Sequence, residues 1–398
     1  MVRSRDCGFF NLSIDHQMEY YTNTGRLVML VREGSVIEEL FQVASAARTR
    51  VAISVRTADP TQRGTKMQTG RRQFLCLTAG IGLGLDRWLC AGDSTDIGFQ
   101  KVTRTSWALG SDVSITAIHQ NQVTAKKAVD AAFDELATVE KLMSIYRDDS
   151  QLSQLNRDGV LLDPHPYFVE VLRAAARHSK RSDDAFDVTV QPLWSLYAET
   201  KKNRRVPDDK AVATARKKVD WKRVEVSEKQ VRLRGKGTAI TLNGIAQGYA
   251  ADRANTALKS HGVKHALIDT GEFSTLGRKD SGDAWTIGIQ HPRVKDAYIS
   301  VAKLDGRCLA TSGDYATDFT TDHRLNHLFD PRTGRSPTEL ASVSICAKTA
   351  MQADALSTAA FVVGLERGMK LVANTGGADA LMVLKNGKTF VTENFPIE

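Results

Sequence analysis

The sequence predicts an α+β protein, and two neighbouring patterns carry that expectation. Residues Thr105 to Ile118 alternate as a half-buried strand does, with Leu109-Gly110-Ser111 inside the run. Residues Val123 to Met143 then change period: Val129, Ala132, Phe133, Leu136, Val139 and Met143 share one helical face, and charged residues fill the other. The chain has 398 residues, enough for two or three domains or for one large α+β domain. Its hydrophobic content of 42% and charged content of 25% are those of an ordinary globular protein. The net charge of +8 is dispersed. It suits an anionic ligand such as a nucleotide and gives no argument for a nucleic-acid partner.

Ahead of the first strand the chain reads as an address. Residues 1–66 show no sustained period and are left unassigned, with translation expected to begin at Met67. Arg71-Arg72-Gln73-Phe74-Leu75 and the weakly apolar run Cys76 to Leu85 predict a twin-arginine export signal over 67–92. That run is too short to span a bilayer as a stable helix. Leu89-Cys90-Ala91 offers a small residue for cleavage, and Arg87-Trp88-Leu89 makes Cys90 a poor lipidation site. Gly80, Gly82 and Gly84 imitate part of a dinucleotide loop, but no strand precedes them and no βαβ unit surrounds them. Five cysteines show no C-x-x-C spacing. Cys308 and Cys346, the two in the mature domain, are open to pairing outside the cytoplasm or to burial as thiols.

After the helix ending at Met143, Arg147-Asp148-Asp149-Ser150 turns the chain. A second helix is expected from about Tyr167 to Lys180. Ala185-Phe186-Asp187 follows, where Phe186 reads as core and Asp187, a carboxylate among apolar residues, needs hydrogen-bond partners. Lys201 to Arg205 reads as a solvated basic loop, Asp208 to Val219 as a surface helix, and Trp221 to Leu242 as short strands with turns. At Thr241-Leu242-Asn243-Gly244-Ile245-Ala246-Gln247-Gly248 a strand is expected to run through a glycine turn into a helix. That arrangement aims backbone N–H groups and a helix N-terminus at an anion. His265 to Thr270, Trp285 to Pro292 and Tyr298 to Leu304 read as strands.

Two further stretches carry chemistry. In Ala310 to Pro337, Thr311-Ser312-Gly313 reads as a hydroxyl-bearing turn. His327 stands just before the strong turn Asp330-Pro331-Arg332-Thr333-Gly334. A histidine so held is a proton acceptor near neutral pH or simply a solvated loop histidine, and the stretch by itself does not choose. From Met351 to Phe361 a helix places Asp354 and Thr358 one turn apart on one face. A carboxylate and a hydroxyl, completed by a backbone carbonyl, suit magnesium; alone, an aspartate near a helix start also suits the dipole.

Five separated segments together resemble the ApbE family, the FAD:protein FMN transferases. They are MSIYRDDSQLSQLN, AFDVTVQPL, TLNGIAQGYAADR, the TSG and HLFDPRTG of the histidine stretch, and ADALSTA. They cover roughly Thr105 to the C-terminus in the family's order. The resemblance implies a mixed, largely antiparallel sheet with helices packed outside, as one catalytic domain over 105–398. It implies a magnesium-dependent reaction that moves the FMN half of FAD onto a Thr or Ser hydroxyl of a partner flavoprotein and releases AMP. By the same resemblance His327 is the general base, and Gly244 (through its carbonyl), Asp354 and Thr358 hold Mg2+. Leu109, Tyr146, Ala185, Phe186, Asp187, Thr241, Gln247 and Phe329 contact FAD, with Tyr146 stacked on the flavin. Two departures stand out: Thr241 where most members have aspartate, and Gln247 where many have lysine. Asp269-Thr270-Gly271-Glu272 with LNGIAQGY leans toward the NosX-like branch, which serves nitrous oxide reductase maturation, so the acceptor is expected among membrane proteins of nitrous oxide respiration. The export signal implies a periplasmic enzyme, membrane-associated if the signal stays uncleaved. The alternatives are a magnesium-dependent FAD pyrophosphatase and a non-catalytic periplasmic flavin-binding protein.

Overall fold

In a computed structural model, side chains are described for residues 98–202 and 205–397, and three short strands between residues 20 and 55 in backbone only. The chain divides into two compact units, residues 1–70 and 71–398. In the first, β1 (Tyr20–Asn23) pairs antiparallel with β2 (Arg26–Val31), which pairs parallel with β3 (Ala52–Val55). The expected twin-arginine segment lies outside the described residues. Among those described, no helix is long and apolar enough to cross a membrane.

The second unit is α+β, as the sequence predicts. Its first expected strand is in fact a hairpin, β4 (Gln100–Ala108) and β5 (Ser111–His119), paired antiparallel along their length. The turn is Leu109-Gly110, with φ of 53° and 77°. Positive φ at both central residues is what a tight two-residue hairpin needs, and it is unusual for leucine. The Leu109 N–H donates to Glu140 Oε2 at 3.2 Å, which ties the turn to α1 (Gln122–Met143). That helix follows the predicted period, and Val129, Ala132, Leu136 and Val139 are buried against the sheet and α6 (Ala246–Ser260).

Eight strands form one sheet in the order β16-β15-β14-β13-β10-β9-β5-β4. These include β9 (His265–Asp269), β10 (Phe273–Leu276), β13 (Cys308–Gly313), β14 (Leu340–Ala347), β15 (Asp379–Leu384) and β16 (Thr389–Val391). Every pairing in it is antiparallel. Helices cover one face: α1, α6 and α7 (Ala350–Val363). The hairpin β11 (Trp285–Gln290) and β12 (Tyr298–Leu304) covers the other with Trp285, Ile287, Ile289 and Leu304. Strand β14 is therefore buried at every residue. A strand covered on both faces loses the apolar–polar alternation by which strands are recognised. Cys346 lies opposite Leu309 and Cys308 opposite Ala347, so the two thiols point to opposite faces of the sheet, and both are free.

Other expectations are corrected. Thr311-Ser312-Gly313 is not a turn but the end of β13, so the loop begins at Asp314. Residues 238–242 belong to no strand, and Thr241 N–H donates to Val188 O at 2.8 Å instead. Lys201 and Lys202 end a helix, α4 (Gln191–Lys202), rather than open a loop. Between α1 and α6 in the chain lie α2 (Gln151–Asp158), β6 (Val160–Leu162) and α3 (Pro166–Arg181) before α4, then α5 (Asp209–Arg216), β7 (Val224–Val226) and β8 (Gln230–Leu233). Strands β6, β8 and β7 form a small separate sheet, and α8 (Leu365–Ala373) follows α7.

Candidate active site

Helices α6 and α7 meet at an unusually close contact. A Cβ on Gly248 would lie 2.3 Å from the Ala350 carbonyl oxygen and 2.8 Å from Asp354 Cβ. Only glycine allows this approach. It lets the Gly248 N–H donate to Asp354 Oδ2 at 3.0 Å. In return, Asp252 of α6 accepts the Ala350 and Met351 N–H groups at 2.8 and 2.9 Å, holding the first turn of α7. Negative charge at a helix start is the favourable arrangement. Burial pushes the Asp252 carboxyl up to about 6, against those two hydrogen bonds. Burial likewise pushes Asp354 up, opposed by the Gly248 N–H and reinforced by Asp252.

One turn along α7, Thr358 Oγ1 lies 3.2 Å from Ser312 Oγ at the end of β13, and Ser312 is 2.7 Å from Ser357 Oγ. Gly244 faces the same spot: a Cβ there would stand 2.9 Å from Thr358 Oγ1. The Asp354 carboxylate, Thr358 hydroxyl and Gly244 backbone are thus gathered by sheet, helix and turn. Among the described residues no group of three or more His, Cys, Asp or Glu could hold a metal. The donors are instead hard oxygens of mixed type, and Gly244 keeps their centre clear of a side chain. Such a set fits magnesium, which keeps waters or phosphate oxygens as further ligands.

These residues line a cavity of about 190 Å³ together with Ala185, Phe186, Asp187, Thr241, Gln247, His327 and Phe329. The structure thus unites every sequence-predicted site residue except Leu109 and Tyr146. Leu109 is the hairpin turn, and the Tyr146 ring is 73% exposed beyond the end of α1. Neither is among the cavity's lining residues. A more open groove of about 550 Å³, bounded by Arg181, Arg367 and Lys370, contains none of the predicted residues.

Asp187 obtains the partners its burial demands. It accepts the Thr189 N–H at 2.7 Å, the Thr189 hydroxyl at 2.6 Å and the Trp221 N–H at 3.0 Å. Burial still pushes it up to about 6. Its oxygens therefore brace the cavity wall. Gln247 donates from Nε2 to the Thr270 carbonyl at 3.1 Å. The expected anion cradle at the start of α6 is corrected: Ala246 N–H donates to Leu242 O, and Gly248 N–H serves Asp354.

His327 is carried by residues 314–335. Its N–H and its Nδ1 both reach the Thr317 carbonyl, at 3.0 and 3.1 Å. A carbonyl only accepts, so Nδ1 carries the proton and the neutral ring presents Nε2 as its acceptor. The segment is pinned before and after His327. Buried Asp314 receives both Arg293 Nη groups at 2.7 Å, with Lys385 Nζ at 3.4 Å. Downstream, Asp330 accepts from Arg332, and Phe329 packs in an aromatic trio with Tyr197 and Phe319. Sequence reasoning missed Asp314 and also Glu272, which lines the cavity and accepts the Thr311 N–H at 3.1 Å. A carboxylate directly after Thr-Ser-Gly was the available signal for the first.

Comparison with known proteins shows the family. The ApbE family profile matches residues 109–382. The chain is 30% identical over 272 residues to an FAD:protein FMN transferase of Escherichia coli K12, covering 65% of this chain and 77% of that protein. It is 31% identical over 338 residues to one of Treponema pallidum, covering 78% and 89%. Among solved structures, the ApbE protein of Thermotoga maritima superposes with a TM-score of 0.68 at 30% identity, covering 74% of this chain and 97% of the other. The apo flavinyl transferase ApbE of Pseudomonas stutzeri does so with 0.66 at 30% identity, covering 74% and 95%.

Proposed function

Because this chain belongs to the ApbE family, we propose that it is an FAD:protein FMN transferase whose chemistry takes place in the cavity between α6, α7 and residues 314–335. The observation that carries this reading is the convergence of Gly244, of Asp354 and Thr358 on α7, and of His327 on one cavity from three separate parts of the chain. In the reaction, an acceptor Thr or Ser hydroxyl attacks the phosphorus of the FMN half. The bond from that phosphorus to the bridging oxygen breaks, and AMP leaves. His327 takes the hydroxyl proton on Nε2, the position its Nδ1–H bond to Thr317 favours. Asp354, Thr358 and the Gly244 carbonyl are the ligands we assign to Mg2+. When bound, the metal would neutralise diphosphate charge as the leaving group departs. Phe186 and Phe329 supply apolar wall, and Asp187 and Thr241 hold the turns that carry it.

A cavity of about 190 Å³ is below the roughly 300–1,000 Å³ usual for ligand pockets. We therefore place the diphosphate and its neighbours inside, with the rest of FAD across open surface toward Leu109 and Tyr146. Export by the twin-arginine route to the periplasm, and an acceptor in nitrous oxide respiration, rest on the sequence motifs. The test incubates the enzyme with FAD, Mg2+ and a candidate acceptor domain, followed by flavin fluorescence on a denaturing gel and AMP measurement. Fluorescent acceptor with equivalent AMP is the expected result. AMP and free FMN without labelled acceptor would instead mark a pyrophosphatase, and tight FAD binding with neither product a flavin-binding protein.

A further inference from the structure

The cavity proposed to receive a diphosphate is lined by three carboxylates, Asp187, Glu272 and Asp354, and by no lysine or arginine among the described residues. At the α6 N-terminus the Ala246 N–H donates to Leu242 O and the Gly248 N–H to Asp354 Oδ2, which leaves less of its partial positive charge for a ligand. Arg293 and Lys385, the cations nearest the start of the histidine segment, are held on Asp314. The position best placed to bring a cation is Gln247. Its Nε2 reaches the Thr270 carbonyl at 3.1 Å and would stand 3.2 Å from a Cβ at Gly271, immediately before Glu272. It is an amide, so it orients without neutralising.

We propose that Gln247, by bringing no cation to the cavity, makes FAD and metal binding strongly coupled in this chain, so that the diphosphate binds far more tightly together with a divalent cation than without one. The proposal rests on the cavity being the FAD site. An anion placed beside like charges that are themselves buried, as Asp187, Glu272 and Asp354 are, is repelled more strongly than in water. Mg2+ on Asp354 and Thr358 would reverse the sign of that interaction. Coupling is reciprocal: the factor by which metal tightens FAD must be the factor by which FAD tightens metal. A lysine at 247 would supply a resident cation and release FAD from this dependence. The residue therefore sets how the nucleotide's affinity responds to available Mg2+, separately from the transfer step.

The experiment measures FAD affinity by flavin fluorescence and calorimetry, in Mg2+ and in EDTA, and Mg2+ affinity with and without FAD. In the parent, removing Mg2+ is expected to weaken FAD by about 100-fold, near the upper end of ordinary coupling factors. The same factor should appear in the Mg2+ titrations. Gln247→Lys should shrink the factor to about tenfold or less, and Gln247→Met should keep the parent's. Glu272→Gln, which removes charge but can still accept the Thr311 N–H, should shrink it as well. Equal FAD affinity of the parent in Mg2+ and EDTA would overturn the proposal, as would identical metal dependence in the Lys and Met variants. Failure of the folded parent to bind FAD in either buffer would overturn the cavity assignment itself, and the coupling with it.

Discussion

The two walls of the cavity are built on different principles. On the helical wall, precision comes from backbone meeting backbone: Gly248 lies against Ala350, and three helix N–H groups meet the carboxylates of Asp354 and Asp252. On the opposite wall, residues 314–335 form neither helix nor strand of any length. Their shape is set by charge and turns, with Asp314 clamped by Arg293 and Lys385, and Asp330 by Arg332. The difference teaches where each kind of failure belongs. Disturbing the first wall should cost both fold and metal, whereas disturbing the second at His327 should cost rate alone.

The sharpest break is Asp354→Ala. It removes the only formal charge among the assigned metal ligands, and Mg2+-dependent AMP release should fall to background. Undiminished release would put the metal elsewhere. His327→Ala comes next. Single-turnover flavin transfer should slow by about 10²–10⁴-fold while FAD and Mg2+ binding persist. The parent's rate should fall on acidification, since a protonated ring accepts nothing, and an unchanged rate and pH profile in the variant would leave the chemistry to metal and positioning.

Two predictions concern stability. Gly248→Ala overpacks the helix contact and should lose about 1–3 kcal/mol in urea unfolding, with weaker Mg2+ binding. The second concerns His178, on α3 with its ring 6.0 Å from that of Phe186. Burial, with Arg181 and Arg177 adding, pushes this histidine down to about 4 from an ordinary 6.5. Between those values the unfolded chain binds the extra proton, so the stability it contributes is present above pH 6.5 and lost as pH falls toward 4. The parent's margin over His178→Gln should therefore grow as pH rises from 4 to 6.5, by the order of 1–3 kcal/mol. Asp187 and Asp252, both raised to about 6, act in the opposite sense but are common to both proteins and cancel in the difference. A margin flat with pH would refute the assignment. The smallest effect belongs to a residue on neither wall. Tyr146→Ala should weaken FAD by about 1 kcal/mol and Tyr146→Phe much less. If neither variant changed affinity, the exposed ring would have no part in flavin binding.

The helical wall was the more legible in sequence. Asp354 and Thr358 stand at a helical interval, whereas the close approach of Gly248 to Ala350 joins residues remote in sequence and is not legible there. Turn chemistry likewise located Asp330 to Gly334. What stayed hidden was long-range. Leu109-Gly110 reads through as strand because leucine rarely takes a positive φ. Thr311-Ser312-Gly313 looks like a turn until β14 pairs with it. The N–H groups heading α6 look ready for an anion until Asp354 arrives from more than a hundred residues away.

The two thiols of the sheet give the protein a pair of clocks. With Cys308 facing the helices and Cys346 facing the β11–β12 hairpin, neither can close a disulfide with the other. Burial pushes both thiols up to about 12, and thiolate is the form that reacts with alkylating reagents. Each sulfur therefore stays silent until its own face is uncovered. Pulsed alkylation resolved by mass spectrometry would time the departure of the helices at Cys308 and of the hairpin at Cys346 in the unmodified protein, and so tell whether the layer carrying the metal ligands opens before the layer behind it.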